Sequence, residues 1–594
     1  MSSFKRIFLS VFAFIFFVTS LFAATPELVD PLSVDRASHA MVVTAHPLAT
    51  DAALEILQSG GNAVDAAIAA QWVLNVVEPQ SSGIGGGGFF LYFNGKKRSV
   101  HTFDGREKAP FAATPEMFLD DEGEALRFYP ERITGGLPVG VPGTLKLLKR
   151  VHTRFGSGKF RFEELFLPAI RHAQQGTPVS KRLAEAIRGE ADRLKLFPAS
   201  RDIFFHPNGE PFKEDEILIQ QDLAKTFETI STKGIGAFYD GEIGRTIIDA
   251  VRRAPVRPGP LDRYDLQFYT VAEREPVHTT YRGFDIFAMG PPSSGGVALI
   301  QILNILEPFS LLFYGASADA FHLAIEAQKF AYEDRARHLG DPDSVKIPLE
   351  KLVSKDYAKK KAKEISFDLA REVDFEVDEA SHPALGNTSH ISIVDAEGNM
   401  VSYTTTIEHV FGSGMVVPGW GFVLNNELTD FDAVPRDPSR LANSVAPKGT
   451  LLHSGLERVK GTLKANAPGP EKRPRSSMCP VFVFRNGIPY LVAGSPGGSL
   501  IIPTVQEIIM YYVDFRMEPE QVLTAPRFAA RGNTVEAESV FLEDTEVMKL
   551  LRRKGHRLVL RKPFGNAQVV FFDHKTDTLI GVSDPRGDGE ARGY

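Results

Sequence analysis

The chain has 594 residues, 43% of them hydrophobic and 24% charged, which is typical of a globular protein with a large core. A net charge of −7 and a pI near 6.1 exclude a strongly basic surface, so nucleic acid is not expected as a partner. The single cysteine, Cys479, excludes an intramolecular disulfide. No activating histidine or base lies near it in sequence, which favours a small packed residue over a thiol nucleophile.

Residues 1–24 have the features of a secretory signal peptide. Lys5 and Arg6 precede an uncharged apolar run over 7–24, which ends in the small residues Ala23 and Ala24. The run is borderline in length for crossing a bilayer, so an uncleaved membrane anchor is the alternative. A cleaved signal on a chain without disulfides predicts export to a bacterial periplasm, with no stable membrane span after cleavage.

The first elements after the signal are predicted to be two helices. The first runs to Gly60, with Thr50 or Asp51 as its N-cap. The second starts after Asn62 and is apolar nearly all round, which predicts that it is buried.

A glycine-rich run over 83–88 leads into a predicted β-hairpin. The run lacks the Gly-Lys-Ser/Thr ending of a phosphate-binding loop and continues into a strand, so close backbone packing is the preferred interpretation. Alternating apolar residues to Phe93, a turn at Asn94-Gly95 and a return over 99–104 predict two antiparallel strands.

Further along the chain, one long helix and three more hairpins are predicted. The helix is predicted over 318–339, and the polar sequence over 361–383 predicts an exposed segment. Helices interspersed with antiparallel hairpins predict a layered α+β fold. The strands of these hairpins are predicted over 388–395 and 400–407, 481–485 and 490–493, and 569–573 and 579–582.

The sequence offers no motif for a metal or an organic cofactor. There is no His-Glu-x-x-His and no Cys/His cluster, so we expect no zinc site and no cofactor. The run 494–498, Gly-Ser-Pro-Gly-Gly, has the outline of a nucleophile elbow. Its proline argues against the elbow geometry, and we expect no helix directly after it.

Thr388 opens one of the predicted strands, in an Asn-Thr-Ser-His run. Taken alone, it is predicted to be structural, because threonine favours strands. Its surroundings change that interpretation, because a polar segment precedes it and a hairpin with further hydroxyl and acidic residues follows it. The polar residues that follow are Thr406, Glu408, Glu427, Asp430, Ser476 and Ser477.

With these residues in place, the sequence resembles the gamma-glutamyltransferase (gamma-glutamyl transpeptidase, glutathione hydrolase) family over nearly the whole mature chain. Several independent motifs occur in the family's order, which makes the resemblance specific. It implies the four-layer αββα sandwich of the N-terminal-nucleophile hydrolases. The matching motifs lie at 54–57, 60–67, 77–88 (Val-Glu-Pro-Gln-Ser-Ser-Gly-Ile-Gly-Gly-Gly-Gly), 105–110 (Gly-Arg-Glu-Lys-Ala-Pro), 140–144, 291–296, 332–335 (Tyr-Glu-Asp-Arg), 339–342 and 583–586.

The resemblance also implies a proenzyme that cuts itself between Asn387 and Thr388. The products would be a heavy subunit, 25–387, and a light subunit, 388–594, which together form one catalytic domain as a heterodimer. A threonine hydroxyl is a poor nucleophile without a base. Once Thr388 is N-terminal, its own α-amine can serve as that base near neutral pH.

The resemblance assigns the remaining roles residue by residue. Thr406 matches the second threonine, which hydrogen-bonds the nucleophile, and the backbone of Gly497 and Gly498 matches the oxyanion hole. The γ-glutamyl group carries a carboxylate and an ammonium, so its pocket needs both signs of charge. Arg106, Ser476 and Ser477 match the carboxylate contacts, whereas Glu427 and Asp430, with Glu408, match the ammonium contacts.

The sequence departs from the family pattern in two places. Many members have Asn at the position of Glu408, although some bacterial members carry Glu. Members with a lid over the pocket have a short loop with a Tyr, whereas this chain has a longer basic insertion between Asp430 and Arg473 without one. We therefore expect a more open site, in which hydrolysis competes well with transfer. The stretch 448–475 is predicted to be a flexible loop beside the site or a solvated surface insertion.

The resemblance implies that glutathione or another γ-glutamyl compound is the donor and that water, an amino acid or a peptide is the acceptor. A cephalosporin (glutaryl) acylase of the same fold is one alternative, and a γ-polyglutamate hydrolase is another. The alternative from a different class is an unprocessed, non-catalytic relative that only binds or scaffolds.

Overall fold

The computed structural model of the protein describes residues 32–375, 387–437, 461–539 and 545–594. The predicted signal peptide, residues 376–386 before the cleavage position and residues 438–460 of the basic insertion lie outside these ranges. Within them, no helix combines the length and the apolar character that a membrane span requires.

The strands of the described ranges pair into two large sheets and three small ones. In chain order they are β1 (Ser33–Ala37), β2 (Met41–Thr44), β3 (Gly87–Asn94), β4 (Ser99–Asp104), β5 (Thr177–Pro178), β6 (Ile217–Leu218), β7 (Ala272–Arg274), β8 (Val277–Tyr281), β9 (Phe284–Ala288), β10 (Ser389–Val394), β11 (Met400–Thr406), β12 (Arg436–Asp437), β13 (Thr462–Leu463), β14 (Val481–Arg485), β15 (Ile488–Gly494), β16 (Phe528–Ala530), β17 (Thr534–Glu538), β18 (Arg557–Arg561), β19 (Gln568–Asp573), β20 (Thr578–Ser583) and β21 (Glu590–Gly593). Among the described residues, sheet I has the order β1-β20-β19-β15-β14-β9-β8 and sheet II the order β21-β2-β10-β11-β3-β4-β7.

Helices cover the outer faces of both sheets. Those of eight or more residues are α1 (Pro47–Gln58), α2 (Ala63–Val77), α3 (Thr144–Phe155), α4 (Leu167–Gln175), α5 (Lys181–Gly189), α6 (Gln221–Lys233), α7 (Glu242–Arg252), α8 (Gly295–Leu306), α9 (Ala318–His338), α10 (Lys355–Glu364), α11 (Ile501–Ile509) and α12 (Glu546–Arg553). Shorter helices and helical turns are Phe128–Arg132, Phe162–Phe166, Ala191–Leu194, Pro198–Phe204, Gly236–Tyr239, Arg263–Phe268, Leu311–Tyr314, Leu349–Leu352, Glu427–Asp430, Gly498–Leu500, Met510–Asp514 and Pro519–Thr524.

Two apolar clusters define the layers. Successive side chains of a strand point to opposite faces. Along β3, Phe90 and Tyr92 accordingly pack towards α1–α4, whereas Phe89 and Leu91 face the cluster that contains sheet I and the helices α8, α9 and α11. The order helix, sheet, sheet, helix is the predicted four-layer αββα sandwich, and the α+β fold class is confirmed.

Most predicted elements are present, and the second helix shows why. Asn62 caps α2 by accepting hydrogen bonds from the amides of Val64 and Asp65, and every residue of α2 is buried, as its all-round apolar sequence predicts. The predicted N-cap of α1 is wrong. The helix begins at Pro47, because the His46 side chain accepts from the Leu48 amide and Pro suits the first helical turn.

The hairpins and the long helix are also confirmed. β3 pairs with β4, β10 with β11, β14 with β15 and β19 with β20, each antiparallel. The polar segment predicted over 361–383 is not uniformly exposed where it is described, because Ile365 and Val373 are buried. Residues 376–383 of that prediction lie outside the described residues.

The two sheets are joined close to the predicted cleavage position. The Ser402 hydroxyl on β11 donates to the Ala493 carbonyl on β15 at 2.9 Å, and the Ser392 hydroxyl on β10 donates to the Gln568 carbonyl on β19 at 2.8 Å. These bonds bring the start of β10, the end of β11 and the end of β15 to one edge of the sandwich.

Candidate active site

Two threonine hydroxyls face each other where β10 begins and β11 ends. The Oγ1 atoms of Thr388 and Thr406 are 3.1 Å apart, and both lie within 3.1 Å of the Asn387 carbonyl oxygen. The Glu408 amide donates to the Thr406 hydroxyl at 2.9 Å, which fixes its orientation. Both threonines are buried. The hairpin register therefore places the two predicted hydroxyls together at the predicted cleavage bond.

A glycine turn from sheet I approaches the same point. Gly497 has φ = 135° and Gly498 has φ = 55°, values that favour glycine because a side chain would be strained there. Gly498 lines the cavity that contains Thr388 and Thr406, whereas Gly497 precedes it and is not among the residues lining that cavity. The expectation that no helix follows this run is wrong, because a helical turn begins at Gly498 and α11 at Ile501.

Arg106, just beyond the end of β4, is buried and surrounded by acceptors. Its guanidinium forms ion pairs with Glu427, which is buried, and with Asp430, which is partly exposed. It also donates to the Pro474 and Arg475 carbonyls at 3.1 and 3.3 Å. The residues predicted to bind opposite ends of a zwitterion therefore pair with one another.

Glu408 adds a third acidic group to this cluster. Burial, followed by repulsion from the Asp430 carboxylate, raises the pKa of Glu408 to about 8, against the opposing effects of hydrogen bonds from Thr429 and Asn426. The Glu408 backbone has φ = 75°, an uncommon conformation for a non-glycine residue, and such strained positions cluster at functional sites.

Ser476 and Ser477 also line the cavity. The Ser476 hydroxyl accepts from the Met478 amide at 3.2 Å, and the Ser477 hydroxyl accepts from the Arg335 guanidinium at 2.9 Å. Each hydroxyl oxygen is thus occupied as an acceptor, which leaves its proton available for donation.

A single small cavity brings the predicted residues together. Asn387 and Gly497 are adjacent to it in the chain but do not line it. The cavity is lined by Arg106, Thr388, Thr406, Glu408, Glu427, Asp430, Ser476, Ser477, Met478, Gly498, Ser499 and Ile501.

Sequence reasoning missed the layer behind these residues. Arg335 of α9 contacts Ser477, and Tyr332 of the same helix donates to the Ser499 carbonyl. Both belong to the Tyr-Glu-Asp-Arg run at 332–335, which matched the family but received no role. The family match of this run was the available signal for a functional role. Only the fold shows that its side chains contact Ser477 and Ser499.

The basic insertion is also better defined than predicted where it is described. Arg473 and Arg475 are buried rather than solvated or mobile, because Arg473 contacts Asp104 and Asp343, and Arg475 contacts Asp432. Cys479 is buried, and burial raises the pKa of its thiol, as expected for a packed residue.

The four-layer sandwich, with a threonine at the start of an inner strand facing a second hydroxyl, defines a class. It is that of the N-terminal-nucleophile amidohydrolases, which use a residue freed by chain cleavage as nucleophile and base.

Comparison with known proteins identifies a family within this class. The family model described as Gamma-glutamyltranspeptidase matches residues 49–594. The "Glutathione hydrolase proenzyme" of Bacillus subtilis (strain 168) is 39% identical over 94% of this chain and 92% of its own length. The "Acylase ACY 1 proenzyme" of Pseudomonas sp. (strain SE83) is 34% identical over 93% of each chain. The crystal structure of cephalosporin acylase from Bacillus halodurans superposes with a TM-score of 0.81 at 29% identity, over 96% of this chain and 98% of that one.

The chain belongs to the gamma-glutamyltranspeptidase family. The resemblance drawn from the sequence motifs is thereby confirmed, and the presence of an acylase among the relatives matches the predicted alternative.

Proposed function

We propose that this chain is a secreted, self-processing gamma-glutamyltransferase and glutathione hydrolase in which Thr388 forms the γ-glutamyl-enzyme. One observation carries the proposal. The Thr388 and Thr406 hydroxyls lie 3.1 Å apart in a cavity that is also lined by an arginine, two serines and three acidic residues. Family membership supports the reaction class.

Self-cleavage would begin at the Asn387 carbonyl. The hydroxyls of Thr388 and Thr406 both donate towards its oxygen, at 2.7 and 3.1 Å, and so polarise it. Attack by Thr388 Oγ1 on the carbonyl carbon forms an ester and breaks the peptide bond. The hydroxyl proton passes to the departing nitrogen, which becomes the free α-amine of Thr388. Water then hydrolyses the ester and releases Asn387 as a carboxylate. Cleavage would thus create the base that the nucleophile needs.

The processed subunits would remain associated through shared sheets. Sheet II contains β2, β3, β4 and β7 from the proposed heavy subunit, 25–387, and β10, β11 and β21 from the proposed light subunit, 388–594. Because β10 and β11 lie between β2 and β3, separation of the subunits would break the sheet in its middle. A stable heterodimer is the expected product.

In the working enzyme, the Thr388 hydroxyl would attack the γ-amide carbon of a glutathione-like donor. The α-amine of Thr388 takes the hydroxyl proton and passes it to the leaving amine. The Gly497 and Gly498 backbone would stabilise the oxyanion. Water, an amino acid or a peptide then accepts the γ-glutamyl group and regenerates the hydroxyl.

The recognition pocket would bind the zwitterionic end of the donor. Arg106, Ser476 and Ser477 supply donors for the α-carboxylate, and Glu408, Glu427 and Asp430 supply acceptors for the α-ammonium. The Arg106 ion pairs with Glu427 and Asp430 keep these opposite charges adjacent, which suits a ligand whose own two charges share one carbon.

A denaturing gel of the exported protein tests the proposal. We expect two bands, a small subunit beginning at Thr388, and hydrolysis of a γ-glutamyl anilide by the fraction that contains them. The Thr388→Ala variant should remain one band. A single full-length band in the native protein would contradict the proposal and favour the unprocessed relative.

An acylase for glutaryl groups is the second candidate, because an acylase superposes over nearly the whole chain. A glutaryl group lacks the α-ammonium, so it would leave three acidic side chains facing an uncharged carbon. We therefore expect the γ-glutamyl anilide to be hydrolysed with a higher kcat/KM than the glutaryl anilide. The reverse preference would establish the acylase function instead.

A further inference from the structure

Arg335 is a buried arginine without an acidic partner. Its side chain is 7% exposed, yet within the described ranges no carboxylate forms an ion pair with it. Burial, followed by repulsion from Arg475, lowers the pKa of Arg335 to about 9, against the opposing attraction of Tyr332, Asp430 and Asp432. A buried charge is costly unless it is paired, so a guanidinium without a direct ion pair beside a binding cavity favours an anionic ligand.

The contacts of Arg335 point towards the cavity. Its Nε donates to Ser294 Oγ at 2.8 Å, and its Nη2 donates to Ser477 Oγ at 2.9 Å. Ser294 in turn donates to the Ser476 carbonyl at 2.6 Å, so one guanidinium fixes the positions of both cavity serines.

The hydrogen bond from Arg335 to Ser477 determines where the Ser477 hydroxyl proton can point. A serine hydroxyl has one proton and accepts through its oxygen. Because Ser477 Oγ accepts from Arg335, its proton is free to point elsewhere, and among the described contacts it donates to no protein group. Ser477 lines the cavity, so this proton is available to a ligand there.

Arg106 and Arg335 differ in this respect. Arg106 is already neutralised by Glu427 and Asp430, whereas the hydrogen bonds that the Arg335 guanidinium makes within the described ranges go to neutral hydroxyl oxygens. The positive charge at the serine pair that has no direct ion pair is therefore that of Arg335, which hydrogen-bonds Ser477.

We propose that Arg335 is a positioning residue that turns the Ser477 hydroxyl towards the donor's α-carboxylate and supplies the positive charge that balances it. This inference rests on the proposed function. Arg335 acts through Ser477 and does not touch the reacting bond.

The test uses the exported, processed enzyme and three anilide donors. The γ-glutamyl anilide has both charges, the glutaryl anilide has only the carboxylate, and the 4-aminobutyryl anilide has only the ammonium. Arg335→Gln should raise KM for both carboxylate-bearing donors by about tenfold or more, with kcat changed less than about threefold. Its kcat/KM for the 4-aminobutyryl anilide should stay within about twofold of the native value, because that donor has no carboxylate to lose.

Arg337→Gln is the matched control, because Arg337 lies on the same helix, is half exposed and pairs with Glu333. Arg337→Gln should leave KM and kcat for all three donors unchanged. Arg335→Lys keeps the charge and should recover part of the KM loss. Ser477→Ala should raise KM for the same donors, and adding Arg335→Gln to it should raise KM by a smaller factor than Arg335→Gln does alone.

If Arg335→Gln lowers kcat/KM equally for all three donors, or leaves KM unchanged for the carboxylate-bearing ones, the inference is overturned. If Arg335→Gln is not processed, Arg335→Lys and Ser477→Ala provide the same comparison. If the native enzyme prefers the glutaryl anilide, the proposed γ-glutamyl function fails. The Arg335 inference is then still decided by comparing the glutaryl and 4-aminobutyryl anilides.

Discussion

The proposed reaction centre and the proposed recognition pocket of this site are built in different ways. The reaction centre consists of two neutral hydroxyls on paired strands, with a glycine turn beside them, and its geometry follows from the β10–β11 register. The recognition pocket is assembled from the loops after β4 and β11 and from the segments around Glu427 and Ser476, and it is dominated by charge. Chemistry is thus fixed by the sheet, whereas specificity depends on electrostatic pairing between distant segments.

This difference predicts two kinds of failure. Changes at the reaction centre should abolish processing and turnover while leaving the fold intact. Changes in the pocket should alter donor affinity and, because the charges are buried and mutually paired, stability as well.

The largest effect is expected for Thr388→Ala. Without the nucleophile, the chain should remain uncut and kcat should fall by at least about 10⁴-fold. Thr405→Val, beside Thr406 on β11, is the matched control and should be processed normally. Measurable processing of Thr388→Ala would show that the strand end is not the reaction centre.

Arg106→Gln should weaken both affinity and stability. It leaves Glu427 buried and unpaired, which costs about 3–5 kcal/mol of unfolding free energy. Denaturant unfolding of the uncut Thr388→Ala precursor measures this on a single chain. Adding Glu427→Gln should recover the stability but not the KM. If Arg106→Gln alone leaves the stability unchanged, the pocket is not held by its charge pairs.

Gly498→Ala should lower kcat by about 10²-fold with little change in KM, because the residue has φ = 55° and its amide is proposed to stabilise the oxyanion. Gly283→Ala, at a positive φ with nothing within 4 Å of the added carbon, is a matched control for the backbone strain alone. Equal effects of the two changes on kcat would remove the oxyanion role.

The pH dependence of KM should report Glu408. Its raised pKa, about 8, means that the carboxyl is neutral below that pH and ionised above it. An ionised Glu408 attracts the donor's ammonium, so KM for the γ-glutamyl anilide should fall as pH rises through about 8. Glu408→Gln should flatten this step. The glutaryl anilide, which has no ammonium, should not show the fall even in the native enzyme.

The same shift makes a prediction for stability. A folded-state pKa above the ordinary value means that the folded state holds the Glu408 proton more tightly than the unfolded chain. The contribution of Glu408 to the unfolding free energy should therefore decrease as pH rises from its ordinary pKa of 4.5 to about 8. Glu408→Gln removes this slope, and a slope of the opposite sign would contradict the assignment.

The smallest effect is expected for product partition. The insertion between Asp430 and Arg473 lacks the Tyr of the short lid loop, so we expect hydrolysis to compete well with transfer. Product analysis with and without a dipeptide acceptor measures the ratio. Near-exclusive transfer at modest acceptor concentration would contradict an open site.

Elements with local signals could be predicted from the sequence. The buried helix after Asn62 has its own cap and an apolar surface, and the hairpins have their own turns. The reaction centre was also predictable, because Thr388 and Thr406 are joined by one short hairpin.

The second layer of the site could not be predicted. Arg335 is separated from Ser477 by 142 positions in sequence, and the burial of Arg473 depends on Asp104 and Asp343, which are also remote in sequence. From the sequence alone, charged residues in a glycine- and proline-rich stretch predict a solvated loop. Their ion-pair partners become visible only in the folded structure. The helix after Gly498 was missed because its glycines and proline mask a strand-to-helix turn.

The central claim, that Thr388 becomes the N-terminal nucleophile, is tested most directly by mass spectrometry of the rapidly quenched enzyme. A γ-glutamyl anilide is mixed with the processed protein, the reaction is stopped in acid, and the subunits are digested and mapped. The account predicts a small subunit that begins at Thr388 and carries one γ-glutamyl group on that residue. A small subunit with a different first residue, or a γ-glutamyl group on any other side chain, would contradict it.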